Sequence, residues 1–178
     1  MADAGAHDDA LKSFQLALMS ARDPETVAWL HAETALPLAK LGAPDAARSA
    51  IERAREQPLT DPFDAADLDY VSSCVYRELG RTDTAEALAA SSVRKWAAEG
   101  SSRRDHVEAD IALAALHVRA GELDSVALAH RAIGSVEELR SVRARCKLRT
   151  LVSALHTRPR SDFAELTQRA RKVAAVQV

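Results

Sequence analysis

The sequence predicts an all-α protein, a solenoid of helical hairpins with about nine helices, and three observations predict it. The composition is 47% hydrophobic but only 4% aromatic, dominated by Ala and Leu, which with Arg and Glu are strong helix formers. No alternating run of Val, Ile and Thr is long enough for a sheet. One phrase then recurs three times, as "LGAPDAA" around Gly42, "LGRTDTA" around Gly80 and "AGELDSV" around Gly121, with the glycines 38 and then 41 residues apart. A period of that size, built on two antiparallel helices, marks a chain in which each hairpin depends on its neighbours to bury its faces. With 178 residues, one domain over 1–178 accounts for the whole sequence.

The elements follow in order. A leading helix is expected over about 8–20. Asp23 with Pro24, and again Asp61 with Pro62, read as an N-cap followed by proline at the first helical position, where only an already unpaired N–H is lost. Gly42, Gly80 and Gly121 suit the left-handed residue that closes a helix. These signals give hairpins at 24–41 with 44–56, 62–79 with 83–98, and 103–120 with 123–137, then a last pair at 141–156 and 161–175. Val27, Leu30, Thr34, Leu38 and Leu41 fall on one stripe, as do Val107, Ile111, Ala114, His117 and Val118. Pro37 lies inside the first of these helices and predicts a kink or short break there. Gly134 and Ser135 interrupt a pattern that otherwise runs on, so one long bent helix is the alternative at that junction.

Charge and sulfur narrow the function classes. The net charge is −2, yet residues 140–178 carry ten Lys or Arg against two acids while residues 1–139 carry fourteen against twenty-four. Cys74 and Cys146 have no paired spacing, so neither a disulfide framework nor a zinc knuckle is expected, and both read as buried thiols. The polar N-terminus and the lack of an apolar run of about 18–20 residues predict no signal peptide or membrane span, hence a cytoplasmic protein.

Catalytic and metal signatures are missing. The sequence "HAET" at 31–34 is not a His-Glu-x-x-His motif, and His106 with Asp110 stands one turn apart with no third ligand in view. No Gly-rich phosphate loop, nucleophile elbow or kinase-like set occurs. The reading is therefore of a non-enzyme without metal or cofactor. Arg140, Arg143, Arg145, Lys147 and Arg149 form a basic run, but the positions spread around a helix and only Phe163 offers a ring nearby, so direct nucleic-acid binding is not expected.

The hairpins resemble the tetratricopeptide repeat. Ala35, Ser73 and Ala114 each precede the turn glycine by seven residues and match that family's first small position, and Ala47 and Ala85 match the second, where the third repeat has Val126. The family's Trp, Leu and Tyr positions fall on His31, Thr34 and Leu38, on Asp69, Ser72 and Tyr76, and on Asp110, Leu113 and His117. The period exceeds the family's usual length, so connections such as "EQPLTDP" are longer. The C-terminal stretch "LRSVRARCKLRTLVSALHTRPRSDFAELTQRARKVA" and an Arg-to-Lys ratio of 19 to 5 are similar to the sensory halves of helix-turn-helix transcriptional regulators of high-GC actinobacteria. One helix before Asp23 is too little for a DNA-reading domain, which leaves a sensory half or a free-standing module.

The resemblance implies a right-handed superhelix that binds a protein or peptide partner, or a small signal molecule, on its concave face. Counted back from the turn glycines, that face comprises Trp29, Glu33, Leu36 and Lys40, then Asp67, Tyr70, Cys74 and Arg77, then Glu108, Ile111 and Arg119. Aromatics supply contact area there, and Lys40, Arg77 and Arg119 would hold carboxylates. Trp29 has a second reading, as cover for the leading helix. Phe163, Leu166 and Val173 form an apolar stripe on the last helix that would serve a homodimer. The competing class is a small helical ligand-binding protein or enzyme of secondary metabolism, which requires a closed pocket with converging polar groups.

Overall fold

The computed structural model describes residues 2–97, 103–139, 141–158 and 161–175. Among these residues there are nine helices and no strand: α1 (Ala2–Ser20), α2 (Pro24–Lys40), α3 (Pro44–Arg55), α4 (Pro62–Glu78), α5 (Thr82–Trp96), α6 (Arg103–Ala120), α7 (Ser125–Leu139), α8 (Val142–Thr157) and α9 (Ser161–Ala175). The all-α helical-hairpin fold stands as expected. The chain divides into two compact units, Met1–Lys95 and Trp96–Val178. In the first, α1 packs on α2, α2 on α3 and α4, and α3 on α4; in the second, α6 packs on α7 and α8, and α9 on α7 and α8.

The punctuation works as the sequence implies. Asp23 has extended backbone and its carboxylate accepts from the Thr26 N–H at 2.8 Å, capping α2 behind Pro24. The same bond holds the Asp23 carboxyl below its ordinary range. The three turn glycines have φ of +77°, +73° and +82°. In each case the following N–H reaches back to a helix carbonyl: Ala43 to Leu38 at 3.0 Å, Arg81 to Tyr76 at 2.8 Å and Glu122 to His117 at 3.0 Å. That six-to-one bond satisfies a carbonyl the ended helix would otherwise orphan, and it requires the left-handed residue before it.

Burial explains the recurring small residues. Ala35, Ser73 and Ala114 are buried, and so are Ala47 and Ala85 on the second helices. A larger side chain at these sites would push one helix off the other. In the third hairpin the buried small residue is Ser125, while Val126 is only half-buried. There α7 begins four residues after the glycine rather than two.

Several expectations need correction. The leading helix begins at Ala2 rather than 8, in a segment rich in Ala. No break occurs at Pro37: α2 runs unbroken through it, and the Leu41 N–H still bonds the Pro37 carbonyl at 2.9 Å. At the Gly134 junction the separate helices stand as expected, and only the alternative of one long bent helix falls: Gly134 lies inside α7, and α8 has its own cap, Ser141, which accepts from the Ala144 N–H at 3.3 Å. The α2 stripe is not a single buried face, since Leu41 is exposed while Ala28, Ala32, Ala35 and Ala39 are buried. Phe163, Leu166 and Val173 are buried within the second unit, where α9 packs on α7 and α8, so they offer no open stripe for a homodimer. Cys74 is buried but Cys146 is exposed.

Candidate functional site

The position eleven residues before each turn glycine, where the resembled family places Trp, holds His31, Asp69 and Asp110. Asp69 and Asp110 are buried, and a buried charge must be paired and hydrogen-bonded. Asp69 on α4 receives Arg55 Nη2 of α3 at 2.9 Å, and Lys95 Nζ and Ser91 Oγ of α5 at 2.7 Å each. Burial pushes its carboxyl upward, but the bonds from Lys95, Ser91 and Arg55 outweigh that and hold it below the ordinary range. Asp110 on α6 receives Arg131 Nη2 of α7 at 3.0 Å. At His31, burial and then the Arg53 charge push the imidazole pKa down. Two of the three repeat positions that would carry aromatic packing, those of Asp69 and Asp110, therefore carry cross-helix polar contacts. We assign them to architecture.

The position thirteen residues before each glycine behaves differently. It holds Trp29, Asp67 and Glu108. Trp29 is 50% exposed, whereas Glu108 is 2% exposed. Arg143 Nε of α8 lies 2.7 Å from Glu108 Oε1, without hydrogen-bond alignment to that oxygen, so the pairing is chiefly Coulombic. Trp29 meets Phe14 of α1 edge to face, with ring centroids 6.2 Å apart and planes at 89°. The leading helix thus does pack on Trp29, and half of the indole remains open beyond it.

A cleft of about 40 Å³ opens beside that indole. Ala28, Trp29, Ala32, Leu59 and Leu68 give it apolar walls, and Glu25, Asp64 and Asp67 border it. Pockets for small-molecule ligands run to roughly 300–1,000 Å³; this one takes the end of a single side chain. A larger space, about 440 Å³, lies on the second unit against Glu137, Glu165, Gln168, Arg169, Lys172 and Val173. It is an open space bordered mainly by charged residues, where Arg169 Nε donates to Glu137 Oε1 at 3.1 Å and pulls the Glu137 carboxyl below its usual range.

The eleven residues expected on a concave face thus separate. On α2, Trp29, Glu33, Leu36 and Lys40 share one side of the helix by their spacing and are exposed or half-buried. Asp67 joins Trp29 at the cleft, and Arg77 is half-buried. Tyr70 and Cys74 are buried on α4, so an open face does not include them. On α6 of the second unit, Glu108 and Ile111 are buried and Arg119 is half-buried. From the basic run, Arg143 is committed to Glu108 and Arg145 is buried; Arg140 lies outside the described residues. Glu25, Leu59 and Asp64 belong to the cleft although the sequence reading passed over them. The signal for the two acids was the repeated Asp-Pro helix start, which sets Glu25 and Asp64 in the first turns of α2 and α4, two helices that pack together.

Among the described residues, no group of three His, Cys, Asp or Glu side chains could hold a metal ion, and no helix is long and apolar enough to cross a membrane. The architecture defines an all-helical hairpin protein. A crystal structure of BtubC (BKLC) from P. vanneervenii, also a helical protein, is similar to 96% of this chain and 71% of that one, at 18% identity and a TM-score of 0.63. At that identity the likeness is one of fold. No protein-family profile matches the chain, and no curated protein matches it in sequence.

Proposed function

We propose that the chain is a non-catalytic, tetratricopeptide-like domain that binds a protein or peptide, the regulatory or sensory module of a bacterial transcriptional regulator. The observation that carries the binding part is the side of α2 formed by Trp29, Glu33, Leu36 and Lys40, with a half-open indole beside a cleft sized for one side chain. A large aromatic left at an apolar cleft is the kind of residue that dominates binding energy in interfaces, because it gains most from being covered. Repeat architecture supports the reading: buried small residues let the paired helices pack closely, and the turns end on glycines. The regulatory part rests on the resemblance of the C-terminal stretch, an argument from analogy.

The test is selection of a displayed library of random dodecapeptides on the intact chain, repeated on Trp29→Ala. Peptides retained by the intact chain and lost by the variant are the expected result. Failure to enrich any peptide, or enrichment indifferent to Trp29, would remove α2 as the recognition surface.

A further inference from the structure

The border of the Trp29 cleft has one sign. Glu25, Asp64 and Asp67 line it and no cation does. Asp23 and Glu25 have structural partners, the first capping α2 and the second accepting from the Thr60 hydroxyl. The Asp64 carboxylate has no such partner among the described residues. Partial burial and then the charges of Glu25, Asp61 and Asp23 push its pKa up. Beside these carboxylates stands the open half of Trp29, an indole being the best ring for a cation to lie over. The charge of its own unit agrees, since residues 1–95 carry sixteen acids against ten Lys or Arg.

We propose that this cleft takes the Lys or Arg side chain of a basic peptide segment, its methylenes on Trp29 and the apolar walls and its charge among Glu25, Asp64 and Asp67. The inference rests on the peptide-binding reading above and names the chemistry of the partner. Apolar walls with an acidic border select such a side chain over a neutral aliphatic one, which gains nothing from the negative charge, and over an acidic one, which the border repels. A cleft of about 40 Å³ admits the tip of the side chain and leaves the peptide backbone outside.

Two experiments on the full chain decide it. In the first, n-butylammonium and the neutral isostere 1-butanol are titrated while the Trp29 indole N–H resonance is followed, with the buried Trp96 as internal control. A saturable shift with the ammonium, absent with the alcohol and weakened about three- to tenfold by Asp64→Asn, is expected from a cation over an indole with one nearby charge removed. Equal shifts from the two probes, or a shift untouched by Asp64→Asn, would overturn the proposal. In the second, dodecapeptides selected on the intact chain are sequenced. Enrichment in Lys and Arg that collapses on Asp64→Asn supports the proposal. Enrichment without basic residues overturns it while leaving peptide binding intact, and no enrichment overturns both readings.

Discussion

Trp29 and Glu108 occupy the same slot of their hairpins, thirteen residues before the turn glycine, and meet opposite fates. On α2 the slot is half open and carries an indole; on α6 it is closed and carries a carboxylate with Arg143 of α8 against it. The rest of each helix follows suit. From Val107 to Leu116 every residue of α6 is buried, whereas α2 alternates buried with half-open positions. Repeat equivalence therefore fixes which way a side chain points from its own helix, and the helices packed on it decide what chemistry can live there. A slot that is open can recognise something. Once covered, it must be neutralised from within.

The sharpest break of that comparison is Arg143→Ala. It leaves the Glu108 charge buried without its counter-ion, and unfolding in urea should show a loss of about 3 kcal/mol, near the lower end for a broken buried pair because Arg143 itself reaches water. Adding Glu108→Gln should recover part of the loss. If Arg143→Ala is neutral, the closed slot does not depend on its cation.

Next in size is Asp69→Asn, which replaces a carboxylate shared by three donors and should cost about 2 kcal/mol at neutral pH. The sign of its pH dependence follows from the depressed pKa. The stabilisation is complete above the ordinary aspartate range and disappears as pH falls through the lower folded value. Wild type and variant should therefore converge in acid, and a difference that grew on acidification would contradict the assignment.

Gly80→Ala ranks third. A Cβ there meets nothing within 4 Å, so the expected loss of about 1–2 kcal/mol comes from the left-handed backbone alone. Comparable loss at Gly42 and Gly80 in thermal melts would establish that the first two turns are equivalent. The smallest effect on stability belongs to Trp29→Ala, below about 1 kcal/mol after allowing for its half exposure and its ring contact with Phe14. Its effect on peptide binding should be the largest of the four, and a variant that unfolded instead would make Trp29 a core residue.

Helix positions were legible because proline and glycine act locally. Asp23-Pro24, Pro44, Pro62 and the three glycines mark ends within a residue or two of those observed, since capping and left-handed backbone depend on near neighbours in sequence. What was not legible depends on remote neighbours. Asp69 gains its partners from 14, 22 and 26 residues away, and nothing in the spacing of Glu108 announces that α8 will cover it. The Trp29 cleft was half legible: the indole was singled out, but Leu59 comes from the loop before α4 and Asp64 from the first turn of that helix.

The two thiols give the molecule an internal clock. Cys146 is open on α8 while Cys74 is shut inside α4, so a thiol reagent should modify the first at the rate of a free cysteine and reach the second only when its surroundings open. The slow phase then times the opening around α4 in the first unit without a label being introduced, and with Cys146 blocked beforehand the same reading can be taken with a basic peptide present and absent. A ligand that seats beside Trp29 and holds α2 against α4 would slow that phase in proportion to its occupancy.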